Sequence, residues 1–110
     1  MANKVPLIVF PVKDLDKAKS FYNTYLATEP YVDGAWYVGY KVGDMEVGLD
    51  PNGKTVVSYI DTDDMEASLT TLKGVGAEVV IEPKDVGGGL MVAQVEIEGN
   101  TMGLRQQPKK

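Results

Sequence analysis

The sequence predicts an α+β fold built from two tandem βαβββ modules. Strand-type and helix-type periodicities follow one another in the order β-α-β-β-β, and the same order then repeats. The pattern breaks at Pro51-Asn52-Gly53 and restarts immediately afterwards. Because a unit of about 50 residues cannot close a core alone, we expect both modules to form one domain over residues 1–110. The modules are predicted at about 4–51 and 54–107.

The first module is predicted to begin with a buried strand at 5–12, which is apolar on both faces. Asp14 is a suitable N-cap for the helix that follows, and Pro30 lies beyond its end. The apolar face of that helix consists of Leu15, Ala18, Tyr22, Tyr25 and Leu26. Three strands follow at about 28–32, 35–42 and 45–50, with turns at Asp33-Gly34 and Gly43-Asp44.

The second module repeats this order from a strand at 55–61. Asp64 is the N-cap of its helix, and Gly74 and Gly76 mark the end of that helix. Strands are predicted at 77–83, 90–97 and 101–106. Gly87-Gly88-Gly89 lacks the Lys-Ser/Thr of a phosphate-binding loop, so we interpret this run as a hairpin turn.

The modules also match residue by residue. Asp14 corresponds to Asp64 and Leu7 to Val57, each 50 positions later. The final strands correspond at Gly48 and Gly103, 55 positions apart after a longer hairpin. These matches predict a duplicated unit.

Composition excludes several classes of function. The net charge of −5 disfavours a nucleic-acid partner, because phosphate binding needs clustered Lys and Arg. With no histidine and no cysteine, imidazole or thiolate metal sites and a cysteine nucleophile are excluded. No apolar run reaches the roughly 18 residues of a membrane span, so we expect a cytoplasmic protein with no membrane partner.

Three stretches carry a resemblance to a known family. They are Pro11-Val12-Lys13-Asp14-Leu15, Asp63-Asp64-Met65 and the closing Glu98-Gly99-Asn100-Thr101-Met102-Gly103-Leu104. In this order and spacing they resemble the vicinal oxygen chelate superfamily, which includes glyoxalase I, extradiol dioxygenases and bleomycin-resistance proteins. Val86-Gly87-Gly88-Gly89 is similar to the broad glyoxalase-like branch, whose members are mostly uncharacterised.

The resemblance implies two modules that form curved mixed sheets around a cavity. Enzymes of the family hold a divalent metal there through side chains from the first and last strand of each module. The positions that correspond in this sequence are Leu7, Gly48, Val57 and Gly103. Because none of these residues has a donor side chain, we predict that the chain binds no metal and has no cofactor. The family's bleomycin-resistance members further imply a homodimer.

Strand alternation extends the set that faces the cavity. If Leu7 and Val57 point inward, so do Tyr59 and Asp61, whereas Ile8, Phe10, Val12, Val47, Leu49, Val56, Ile60, Met102 and Leu104 face the helices. Trp36 and Tyr40 share one face of their strand and Tyr37 takes the other; which face lines the cavity is left open, as is a core role. The predicted ligand-binding residues are Leu7, Trp36, Tyr37, Tyr40, Glu46, Val57, Tyr59 and Arg105. Glu46 and Arg105 could instead pair with each other.

The resulting functional hypothesis is a metal-free protein that binds a small organic molecule, with an aromatic or cationic compound as its ligand and no catalysis. One alternative is a metal-independent lyase or isomerase, with Glu46 or Asp61 as general base and Tyr59 or Arg105 stabilising an enolate. Another is a Mg²⁺ or Mn²⁺ enzyme that uses Glu46, Asp50 and Asp61. An interaction module without a small ligand is a further alternative.

Overall fold

A computed structural model describes residues 5–108, and within this range it contains eight strands and two helices. The elements are β1 (Leu7–Pro11), α1 (Leu15–Leu26), β2 (Val32–Asp33), β3 (Val38–Val42), β4 (Met45–Asp50), β5 (Val57–Asp61), α2 (Met65–Gly74), β6 (Glu78–Asp85), β7 (Met91–Ile97) and β8 (Asn100–Gln106). This is the predicted order β-α-β-β-β, twice. Neither helix is long and apolar enough to cross a membrane.

The chain divides into two compact units, of which the first is Pro6–Val57. Its strand order is β2-β3-β4-β1, with β1 parallel to β4 and the other neighbours antiparallel. Helix α1 covers one face of these strands. The buried residues on that face are Val38, Tyr40 and Leu49, and the residues packed against them are Phe10, Val12, Leu15, Ala18, Tyr22, Leu26 and Val47. The predicted helix-facing strand positions Phe10, Val12, Val47 and Leu49 are therefore confirmed, whereas Tyr25, predicted on the apolar face of α1, is 77% exposed.

Among the described residues, the second unit contains Val5 and residues 58–108. Its strand order is β5-β8-β7-β6, with β5 parallel to β8 and the other neighbours antiparallel. The core beneath α2 consists of Met65, Leu69, Ala77, Ala93, Val95 and Leu104, with Ile60, Leu72, Val79, Met91 and Met102 packed against it. Ile60, Met102 and Leu104 thus face the helix, as the alternation predicts, whereas Val56 precedes β5 and is 47% exposed, which corrects its assignment to the helix-facing side.

Both helices begin at the predicted N-caps. The Asp14 carboxylate accepts a hydrogen bond from the Lys17 backbone N–H at 3.0 Å, and the Asp64 carboxylate accepts one from the Ala67 backbone N–H at 3.0 Å. Each satisfies a backbone donor that has no partner within the helix, a contribution of about 1 kcal/mol. The two modules are thus equivalent at the residue that starts each helix.

Most strands begin a residue or more later than the sequence indicates, and the difference is largest for β2 and β3. Strand β3 begins at Val38 rather than at residue 35, because the Gly34 N–H donates to the Tyr37 carbonyl at 3.0 Å and closes a hairpin loop of Ala35 and Trp36. Strand β2 is Val32–Asp33, later than the predicted 28–32. The run Gly87-Gly88-Gly89 forms the predicted turn, with φ values of 130°, 64° and 88° that favour glycine.

Candidate ligand-binding site

Each module has a sheet face opposite to its helix, here called the helix-free face. On β5, β7 and β8 of the second module, cross-strand pairing arranges the side chains of this face in two rows. Gly103 stands between Gln94 and Tyr59 in the first row. Arg105 stands between Val92 and Asp61 in the second row. The register therefore brings an aromatic, an amide and an ion pair together within three strands.

The ring of Tyr59 covers Gly103. A Cβ atom built on Gly103 would lie 2.7 Å from the Tyr59 Cγ atom and closer still to Cδ1 and Cε1. No real side chain tolerates such a separation, so the ring occupies the space above the glycine. The Tyr59 hydroxyl accepts a hydrogen bond from Gln94 Nε2 at 3.0 Å. Tyr59 and Gln94 are both half-buried, and their hydrogen bond fixes the ring over β8.

The second row consists of an ion pair. Arg105 donates from Nε to Asp61 Oδ1 at 2.7 Å and from Nη2 to Asp61 Oδ2 at 3.2 Å. Arg105 is 8% exposed, whereas the Asp61 side chain is 46% exposed. Two parallel bonds to a carboxylate hold the planar guanidinium in one orientation. The pair leaves this row without net charge, with its carboxylate end nearer to solvent.

A pocket of about 380 Å³ lies beyond the Asp61 end of the second row, lined by Asp61, Thr62, Asp63, Gln106, Gln107 and Pro108. Two of its walls are fixed by hydrogen bonds. Gln106 Oε1 accepts from the Met65 backbone N–H at 2.6 Å, and the Thr62 hydroxyl lies 2.6 Å from that of Ser68. The lining contains two carboxylates and no basic side chain.

The helix-free face of the first module also places a tyrosine over a glycine. A Cβ atom built on Gly48 would lie 2.7 Å from the Tyr37 Cζ atom, and closer to its hydroxyl oxygen. The cross-strand partner of Gly48 is Gly39, and a Cβ atom there would lie 3.2 Å from both the Tyr31 and the Tyr37 rings. Two adjacent glycines therefore form a floor on which two tyrosine rings lie.

Polar groups surround the Tyr31 ring. Its hydroxyl donates a hydrogen bond to Glu46 Oε1. The Lys41 ammonium lies 4.6 Å from the centroid of the ring, within the range of a cation–π interaction. Since Lys41 and Glu46 are cross-strand partners, both charges lie beside the same half-exposed tyrosine.

Of the remaining predicted site residues, Leu7 and Val57 are buried and stand at the equivalent first positions of β1 and β5. Trp36 is 73% exposed in the β2–β3 hairpin loop. Tyr40 is fully buried beneath α1, with its hydroxyl 2.6 Å from Asn23 Oδ1 and 3.1 Å from the Lys19 carbonyl. This position corrects the prediction that Tyr40 lines a binding site: its strand face carries the core.

Gln94 and Tyr31 are among the site residues that were not predicted from the sequence. Gln94 carries a detectable signal, because it alternates with the apolar residues Ala93 and Val95 and so faces away from the core. Its position beside Tyr59 depends on the register of β7 on β8, which the sequence does not specify. The sequence predicts a strand over 28–32 that includes Tyr31, but Tyr31 precedes β2 and its backbone N–H donates to the Gly39 carbonyl at 2.9 Å.

Comparisons with known proteins place this geometry in a fold family. No protein-family model and no curated protein matches the sequence. Among solved structures, a hypothetical protein from Bacillus halodurans C-125 has a TM-score of 0.82 at 16% identity, covering 100% of this chain and 98% of its own. A member of the glyoxalase/bleomycin resistance protein/dioxygenase superfamily from Vibrio splendidus 12B01 has a TM-score of 0.74 at 16% identity, covering 96% and 100%.

The chain has the vicinal oxygen chelate fold. A methylmalonyl-CoA epimerase variant from Streptomyces coelicolor, in complex with 2-nitronate-propionyl-CoA, shares this fold. Its TM-score is 0.76 at 16% identity, covering 99% of this chain and 100% of its own. At this level of identity the likeness concerns the fold alone.

The residues present do not fit the metal that many proteins with the vicinal oxygen chelate fold hold. Leu7 and Val57 offer no donor atom, and tyrosine rings occupy the space above Gly48 and Gly103. Within residues 5–108, no group of three or more His, Cys, Asp or Glu side chains is placed to hold a metal ion. This finding contradicts the alternative ligand set of Glu46, Asp50 and Asp61.

Proposed function

We propose that this protein binds a small organic molecule, aromatic or cationic in character, without a metal ion. The observation that carries the proposal is the tyrosine ring over a glycine on the helix-free face of each module, Tyr37 over Gly48 and Tyr59 over Gly103. Where the resemblance to the chelating family implies a metal ligand, this chain offers an aromatic surface. Such a surface binds planar groups by stacking and cations through the electrons of the ring.

Charge favours a cation over an anion. The chain has a net charge of −5, and the pocket beside Asp61 is lined by two carboxylates without a basic side chain. Arg105 is engaged by both oxygens of Asp61, which reduces its capacity to attract an anionic ligand. Because Arg105 neutralises Asp61, the remaining carboxylate of the pocket lining is Asp63, and a planar molecule that carries a positive group could stack on Tyr59 with its charge toward that pocket.

A thermal-shift screen with planar cationic and planar neutral compounds tests the proposal. A ligand at 100 times its dissociation constant stabilises the folded state by about 2.7 kcal/mol, and the unfolding temperature then rises in a saturable manner. Tyr59→Ala is expected to reduce this rise, whereas Tyr25→Ala, which removes an exposed ring on α1, is the matched control. The proposal fails if no compound gives a saturable shift, or if both variants behave like the unmodified protein.

The metal-free part of the proposal has its own measurement. Mn²⁺ and Mg²⁺ are expected to leave the unfolding temperature unchanged, and calorimetric titration is expected to show no stoichiometric binding. A stoichiometric binding isotherm with either ion would refute this part and leave the small-molecule site to be judged by the ligand screen.

The hydrogen bond between Tyr31 and Glu46 favours an enzymatic function as a second candidate. A carboxylate that accepts a tyrosine O–H on a helix-free sheet face could remove a proton from a bound substrate, as a metal-independent lyase or isomerase requires. The structural likeness to an epimerase is compatible with this role. Deuterium exchange into carbonyl compounds at their α-carbon would reveal it. If the unmodified protein catalyses no more deuterium exchange than the Glu46→Gln variant does, the enzymatic function is excluded.

We also propose a homodimer, on the resemblance to bleomycin-resistance proteins. Light scattering coupled to size-exclusion chromatography would give a mass near twice the 11.9 kDa of one chain. A mass of one chain across the accessible concentrations would contradict the dimer. A cytoplasmic location stays a prediction from the sequence.

A further inference from the structure

The Tyr59–Gln94 pair has hydrogen-bonding capacity that the protein itself does not use. Tyr59 accepts a hydrogen bond from Gln94 Nε2, so its own O–H proton remains available to donate to a different acceptor. Among the described residues, 5–108, no side chain or backbone group accepts that proton. The second N–H of the Gln94 amide likewise has no acceptor among these residues. Two donors thus lie next to each other on a half-buried surface.

The arrangement is fixed. Gly103 lies between the two residues in the sheet register, and the Tyr59 ring rests on it. The ring cannot sink further toward β8, and the hydrogen bond from Gln94 limits its rotation. A hydroxyl that accepts a hydrogen bond is also a stronger donor, because the two bonds polarise each other. The ligand would meet this donor pair without prior rearrangement of the side chains.

We propose that Tyr59 and Gln94 together bind an uncharged oxygen atom of the ligand, a carbonyl or hydroxyl oxygen. This inference rests on the proposed small-molecule function and names the group of the ligand that the second module recognises. The donors lie beside Gly103, a position that the resemblance assigns to a metal ligand. The two donors would hold the ligand oxygen in place of a metal ion. The nearby Arg105–Asp61 pair adds no net charge, which favours an uncharged oxygen over a carboxylate.

The test uses two probes of the same shape, acetophenone and ethylbenzene, which differ by the carbonyl oxygen. Each is titrated into the full-length protein, and binding is followed by NMR at the Gln94 side-chain amide and the Tyr59 ring. Acetophenone is expected to bind more tightly. Tyr59→Phe keeps the ring over Gly103 and removes the hydroxyl, so it is expected to weaken acetophenone binding about two- to tenfold and to leave ethylbenzene binding unchanged.

Tyr25→Phe is the matched control, because Tyr25 is 77% exposed on α1 and lies in the other module. This variant is expected to bind both probes as the unmodified protein does. If the two probes bind equally and Tyr59→Phe affects neither, the oxygen site is refuted and the proposed small-molecule function stands. If neither probe perturbs Gln94 or Tyr59, the oxygen site is refuted and this face of the second module is excluded as the binding surface for planar ligands.

Discussion

Replacing Gly103 by alanine would test how tightly the Tyr59 ring is packed on β8. The new Cβ atom would lie 2.7 Å from Tyr59 Cγ, whereas ordinary van der Waals contact begins at about 3.4 Å. The ring would therefore have to move by at least about 0.7 Å. Since Cγ is the atom nearest to the backbone, rotation of the ring about its own axis cannot relieve the clash. The side chain must leave its rotamer or β5 must shift.

The expected change in the free energy of unfolding combines two destabilising effects with one stabilising effect. Overpacking costs about 1–3 kcal/mol, and displacement of the Tyr59 hydroxyl loses the Gln94 hydrogen bond, about 1 kcal/mol. Alanine also restricts the conformations of the unfolded chain, which stabilises the folded state by about 0.4–1 kcal/mol. The net destabilisation is about 1–3 kcal/mol, which lowers the unfolding temperature of a chain of this size by about 4–12 °C.

Thermal unfolding followed by far-ultraviolet circular dichroism measures this shift, with a double-mutant cycle as the control. In a Tyr59→Ala background, Gly103→Ala is expected to be nearly neutral, because the clash has been removed. Gly74→Ala is a matched single change, since a Cβ atom there meets nothing within 4 Å. Equal losses from Gly103→Ala with and without the Tyr59 ring would refute the packing argument, as would a neutral Gly103→Ala.

Three further predictions concern other parts of the two modules. Gly48→Ala is expected to cost less than Gly103→Ala in the same thermal assay, because its Cβ atom meets the hydroxyl end of Tyr37, which can swing away; an equal or larger loss would contradict this. Asp61→Ala is expected to destabilise the protein by about 1–3 kcal/mol in urea unfolding, because it removes two charge-assisted hydrogen bonds from buried Arg105; an unchanged midpoint would count against the ion pair. Burial raises the pKa of Tyr40 above its usual value of 10.0, so the stability it confers is complete below about pH 10 and declines as the pH rises through the folded pKa. Tyr40→Phe should therefore flatten the alkaline decline in unfolding free energy, and an equally steep decline would refute this assignment.

The order of elements could be predicted because it depends on local signals. Asp14 and Asp64 cap their helices as expected, and strand alternation correctly assigned Leu49 and Leu104 to the helix-facing cores. These outcomes follow from side-chain chemistry within a few residues along the chain. The same rules placed Tyr37 and Tyr40 on opposite faces, but could not decide which face carries the core.

The candidate site was predicted less completely, because it depends on contacts between strands. Nothing local places Gln94 beside Tyr59, since the hairpin register between β7 and β8 brings them together. The partner of Arg105 was likewise open from the sequence, and Asp61 became its partner through the parallel pairing of β5 and β8. Aromatic residues favour strands, so the sequence predicts a strand that includes Trp36, but the Gly34–Tyr37 hydrogen bond places this residue in a loop.

The tyrosines that cover the two glycines do not come from equivalent positions of the repeat. Tyr37 reaches Gly48 from the hairpin loop before β3, whereas Tyr59 reaches Gly103 from the neighbouring strand β5. Copies produced by a duplication begin identical, so at least one of the two glycine–tyrosine pairs arose after the copies had diverged. Each half of such a protein can therefore acquire new binding properties while the other keeps its own. Directed evolution could vary the two helix-free faces in separate mutant libraries.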